Sequence, residues 1–212
     1  MTQNSERVST TVSLGASSSV ESQQQIPFLS DPLRISSGIC SAGSLLMQFT
    51  SLSTSYWVLE STPKGLVHSG LWKICMDPTC TPYQFNLLAP HIHVTRGFLL
   101  IACFCGLISL LCICISFEHL DFYGISVIQA AAYLSFGAGF LIMIGMCVFT
   151  AVYRSSQAYK QFLVIFGSSY SLGWASTALY AMTGILLVLT RRTIDSELWE
   201  ANLPSTHRII ES

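Results

Sequence analysis

The chain has 212 residues, about half of them hydrophobic and only a tenth charged, with a formal net charge of −1. Soluble domains carry about 25% charged residues, so a soluble protein of this composition would be short of polar groups to cover its surface. The near-neutral balance offers no basic patch for phosphates, which excludes a nucleic-acid partner, and the length suits one compact domain.

Taken in chain order, the sequence begins with a segment, Met1–Asp31, that holds no apolar run, and half of its first 30 residues are Ser, Thr or Gln. Such a segment cannot bury enough surface to fold, so residues 1–33 are expected to form a disordered tail. It also lacks the apolar centre of a cleavable signal peptide, which leaves the first span to act as an uncleaved anchor. Four stretches without Asp, Glu, Lys or Arg follow: Ile35–Leu59, Gly97–Phe117, Phe122–Tyr153 and Gln161–Thr190. A spanning helix needs about 20 predominantly apolar residues, and each stretch meets that length. Helices at a soluble core would carry a polar face, which these stretches are read as lacking. The pattern predicts an all-α membrane protein, a four-transmembrane-helix bundle with spans near residues 35–56, 97–117, 124–153 and 163–190 inside one domain, 34–192, and a C-terminal tail, 193–212.

The longest connection, residues 57–96, carries the information on orientation. Basic residues do not decide it: Arg7, Arg34, Arg191, Arg192 and Arg208 stand on one side, and Lys64, Lys73, Arg96, Arg154 and Lys160 on the other, five against five. Of eight cysteines, six lie in the apolar stretches, where thiols behave as small hydrophobes. Cys75 and Cys80 share the long loop, and paired thiols there suggest a disulfide, which persists only outside the reducing cytosol. That orientation puts the loop outside and both termini in the cytosol. Two free thiols, or part of a zinc site with His68, His91 and His93, are the competing readings; a structural zinc site wants four ligands at spacings this loop does not offer.

The order Trp57, Gly70-Leu71-Trp72, Cys75, Cys80, with Arg96 before the second span, resembles the W–GLW–C–C signature of the claudin, peripheral-myelin-protein and epithelial-membrane-protein superfamily. The likeness covers all four spans and both outer loops but neither tail. The four-residue gap between the cysteines, "HIHVTRGF" before the second span and "SSYSLGW" in the fourth are similar to the lens-fibre membrane intrinsic protein branch and to a related tetraspan of lymphocyte granules. The resemblance implies a small extracellular antiparallel β-sheet. Physically, Trp57 and Trp72 suit a membrane interface, Gly70 lets the chain bend, and a Cys75–Cys80 ring would stabilise the loop by about 2 kcal/mol. Arg96 either snorkels to the interface or pairs with a loop carbonyl, Glu60 or Asp77.

Within the spans no ionisable residue suggests an ion relay; Gln129, the most polar residue there, is expected to bond to a neighbouring helix. Small residues recur at helical spacing, Ser169, Gly173, Thr177 and Ala181 in the fourth span and Ala131, Ser135 and Gly139 in the third, a pattern suited to packing within the bundle or to a dimer face. Cys112 and Cys114 lie near the cytosolic end of their span, where claudins, which this chain resembles, are palmitoylated; otherwise they fill space. No catalytic motif occurs, and no cofactor, metal or small-molecule substrate is expected. Loop charge, Lys64, Lys73 and Arg96 against Glu60 and Asp77, nets only +1, which argues against a charge-selective pore, and the terminal "RIIES" suits PDZ grooves poorly. The sequence therefore reads as a multi-pass plasma-membrane organiser, in a cell junction or a specialised membrane domain, whose partners are lipids and other membrane proteins, itself included. The competing readings are an auxiliary subunit of a channel or receptor and, least supported, an enzyme.

Overall fold

The computed structural model describes residues 30–63, 65–76, 78–84, 90–118, 122–157 and 164–202. Most of the expected N-tail, the last ten residues, residues 119–121, and Lys64, Asp77 and Lys160 lie outside the described residues.

Among the described residues four helices form: α1 Ser30–Ser53, α2 Pro90–Glu118, α3 Phe122–Gln157 and α4 Ser168–Asn202. They follow the four charge-free stretches but differ at their ends for local reasons. Ser30 and Pro32 are residues that helix starts favour, so α1 begins four residues inside the expected tail. Pro90 occupies the first position of α2, where its missing N–H costs nothing; His91–Arg96, read as loop, are helical. At its other end α4 runs past Thr190 into the expected tail, with an Arg191–Asp195 ion pair of 3.7 Å at i,i+4 spacing on its last turns. Among the described residues, three segments, Pro90–Phe117, Val127–Ser155 and Ser168–Glu197, are long and apolar enough to cross a membrane.

Five short strands make one antiparallel sheet: β1 Val58–Thr62, β2 Gly65–Ser69, β3 Lys73–Met76, β4 Thr79–Pro82 and β5 Val164–Phe166, in the order β4-β3-β2-β1-β5. Gly65, at φ 127°, makes the β1–β2 turn that other residues would strain to adopt. β5 falls where the fourth span was expected to begin. It pairs with β1 (Val58 opposite Phe166), so the sheet joins the α1–α2 connection to the α3–α4 connection.

On α1 a polar face lies inside the bundle and an apolar one outside. On α1, Ser37, Ser41, Ser44, Gln48 and Ser51 are buried, while Ile35, Ile39, Leu46 and Phe49 are exposed. The first stretch does carry a polar face, contrary to the sequence reading, and that face points inward. Two of its groups reach other helices, Gln48 Nε2 donating to the Leu99 carbonyl at 2.9 Å and Ser51 Oγ to the Ser169 carbonyl at 2.6 Å, while Ser37 and Ser44 donate to carbonyls of α1 itself. Ser109 Oγ on α2 likewise bonds the Ala131 carbonyl and Ser135 Oγ on α3. Gln129 departs from expectation: it donates to Tyr133 Oη, one turn on in its own helix, at 3.1 Å. Apolar packing gathers in two places, around Trp57, Leu71, Met146 and Phe149 near the sheet, and around Ile113, Ile128, Ala131 and Leu187 at the end of the bundle nearer the described chain ends.

Candidate functional site

The signature residues meet where α1 ends beneath the sheet. The last carbonyls of any helix lack partners within it. Here three of them are satisfied in order. The Thr50 carbonyl accepts from the Thr54 amide at 3.1 Å and its hydroxyl at 2.6 Å, the Ser51 carbonyl from Trp57 Nε1 at 2.7 Å, and the Leu52 carbonyl from Trp72 Nε1 at 2.8 Å. Both signature tryptophans are thus caps of α1. Trp57 is fully buried rather than lying at a lipid interface, because its ring also fills the space between Phe149 and Tyr170, edge-on at 5.0 and 6.2 Å. Its amide donates to the Ser69 carbonyl and its carbonyl accepts from Gly167, which ties β2 and the end of β5 to the same corner.

Gly70 is where the sheet crosses the end of α1. An added Cβ would stand 2.6 Å from both the Ser55 Cα and the Thr54 carbonyl oxygen. Its φ is not in the left-handed region, so glycine serves close approach here and not the bend expected from the sequence. Leu71 is fully buried, and its carbonyl accepts two bonds from Arg96, Nε at 2.8 Å and Nη2. The same guanidinium lies 4.5 Å over the Trp72 ring. Of the two roles open for Arg96, the structure has the carbonyl pairing: the side chain is buried and does not snorkel. Tyr83, which no sequence signal marked, adds a bond from its amide to the Trp72 carbonyl at 3.1 Å. Burial pushes its phenol above the usual value, opposed by a hydrogen bond with Ser69 and by the Arg96 charge.

Cys75 and Cys80 are directly opposite in the β3–β4 pair and are bonded to each other. That bond consumes the thiols a zinc site would have used. His68 is stacked on Tyr56 at 4.4 Å and held near the Ser55 carbonyl, and among the described residues no three His, Cys, Asp or Glu side chains gather. Beyond the disulfide, the sheet shows solvent an apolar set, Leu66, Trp72, Ile74 and Met76, and β4, exposed along its length, is one of its two edge strands.

The small residues of α4 face neighbouring helices of the same bundle. Ser169 Oγ bonds Thr54 Oγ1 at 2.6 Å, Gly173 leaves room for Met146 and Ser51, and the backbone at Thr177 and Ala181 lies against Gly139. Cys112 is half-buried and Cys114 exposed near the far end of α2. The aromatic cluster Phe149, Tyr153, Phe166 and Tyr170, which props up Trp57, escaped the sequence reading because its members come from three elements.

Residues 35–187 match the PMP-22/EMP/MP20/Claudin family. Protein NKG7 of Mus musculus is 31% identical over 148 residues, 68% of this chain and 84% of that protein. Protein NKG7 of Homo sapiens is 31% identical over 149 residues, with the same coverage, and that of Bos taurus is 29% identical over 156 residues, 73% of this chain and 88% of that protein.

Proposed function

The chain belongs to the PMP-22/EMP/MP20/Claudin family, and from that premise we propose that it crosses the plasma membrane four times, keeps both termini in the cytosol, and uses its outer sheet to bind neighbouring membrane proteins. The matched family is not a catalytic one. Support for α1 as the fourth span comes from its reversed polarity: lipid accepts the exposed Ile39, Leu46 and Phe49, while inside Ser37, Ser44, Ser51 and Gln48 Nε2 donate to backbone carbonyls, as hydrocarbon favours. Support for the orientation comes from the Cys75–Cys80 bond, since disulfides persist outside the reducing cytosol.

The contact role rests on one observation. A sheet fixed rigidly to α1 by two tryptophan caps and Arg96 leaves Ile74 and Met76 exposed beside an unpaired edge strand. Exposed apolar side chains clustered at an edge suit a protein partner, through side-chain burial and strand addition. In the full-length chain, the double substitution Ile74→Asp and Met76→Asp should leave surface delivery unchanged but remove the principal neighbours captured by proximity labelling. An unchanged set of neighbours would show that the sheet is not the contact surface.

A further inference from the structure

A groove of about 530 Å³ opens between α3 and α4 at the end of the bundle away from the sheet. Its chemistry is graded along its length. Arg191 and Arg192 stand at the mouth with one carboxylate, Asp195, so two cations against one anion leave a net +1. Arg192 makes no ion pair among the described residues. Level with them on α3 is Gln129, whose Nε2 donates to Tyr133 Oη, and the phenolic O–H has no acceptor among the described residues. Deeper, the wall is apolar, formed by Val188, Leu187 and Phe136, the last lying over Gly184. From Gln129 to Phe136 is about 10 Å along the helix axis.

A polar pair on a lipid-facing wall is costly in hydrocarbon unless its neighbour supplies acceptors. Basic pockets between spanning helices, at a membrane surface, suit anionic headgroups. We propose that this groove holds one anionic glycerophospholipid: its phosphate at Arg191, Arg192 and Gln129, an ester carbonyl at Tyr133, and an acyl chain along Val188 and Phe136. Positive mouth, polar step and apolar wall follow the order of phosphate, ester and chain in such a lipid. A sterol would leave the two arginines unmatched, and a free phosphate would leave the apolar wall bare.

The proposal rests on the membrane-spanning reading only in placing the mouth at a bilayer surface, and the test below does not depend on which way the chain faces. The full-length chain is purified into nanodiscs of phosphatidylcholine mixed with phosphatidylserine, and co-purifying lipid is counted by native mass spectrometry. Wild type should retain one phosphatidylserine with a preference on the order of tenfold over phosphatidylcholine. The pair Arg191→Gln and Arg192→Gln should abolish that preference, and the pair Arg191→Lys and Arg192→Lys should keep most of it. Tyr133→Phe should weaken retention of both lipids equally without changing the preference. Thermal unfolding and an intact Cys75–Cys80 bond confirm that each variant is folded. Equal retention of the two lipids by wild type, or a preference untouched by the glutamine pair, would overturn the proposal while leaving the four-span topology to its own test.

Discussion

At Gly70 any side chain meets backbone, at Ser55 and Thr54, and backbone cannot rotate away as a side chain can. Gly70→Ala should therefore destabilise by about 1–3 kcal/mol or more, read as retention inside the cell and a lower unfolding temperature. Arg96 offers a sharper test. Its planar fork places two donors on one carbonyl while its face covers Trp72, and lysine keeps the charge but neither geometry. Arg96→Lys should lose most of the contribution of a charged hydrogen bond, about 1.5–3 kcal/mol, whereas a residue that merely snorkels would tolerate the change; thermal unfolding in detergent distinguishes the two. These positions were legible in the sequence because Trp57, Gly70, Trp72 and the cysteines form a spaced motif. Their partners were not: the carbonyls of Ser51, Leu52 and Leu71 belong to the backbone, which every residue shares, so no side-chain pattern marks them.

For the helices and strands, the absence of charge marked all four helices, but it could not separate strand from helix at the start of the fourth stretch. Val164–Phe166 is apolar and continuous with the span that follows, and only its pairing with β1 makes it a strand. Nor could hydropathy show which way α1 faces. Serine at positions 37, 41, 44 and 51 reads as dilution of an apolar run until the neighbouring helices are in place. That inversion yields a test that a soluble helix would pass. Ile39 is exposed, so Ile39→Lys would be nearly neutral in water, but near the middle of a spanning helix it should cost about 2.5–3.5 kcal/mol of insertion, seen as loss of the carbonate-resistant fraction of an α1 reporter. In the sheet, Cys75→Ser and Cys80→Ser should each cost about 2 kcal/mol, and the double substitution should be no worse than either alone, because one bond can be lost only once. Surface delivery of the three variants measures this; additive losses would mean that the cysteines act separately.

On the scale of the whole molecule, the sheet is fed by both connections on one side of the bundle, β1–β4 from the first and β5 from the last, and it closes over the cap of α1. Helix α1, which is not among the three described segments apolar enough to cross a membrane, is therefore fixed at its end by the element that carries the disulfide. The number of spans and the side on which the sheet lies are separate claims, and one measurement reads both. The most direct test is epitope accessibility on intact and permeabilised cells, with one tag at each terminus and one in the β1–β2 turn beside Gly65. The turn tag should be stained on intact cells, and both terminal tags only after permeabilisation. An N-terminal tag on the same side as the turn tag would mean that α1 does not cross the membrane, and staining of both termini on intact cells would place the sheet and its disulfide in the cytosol.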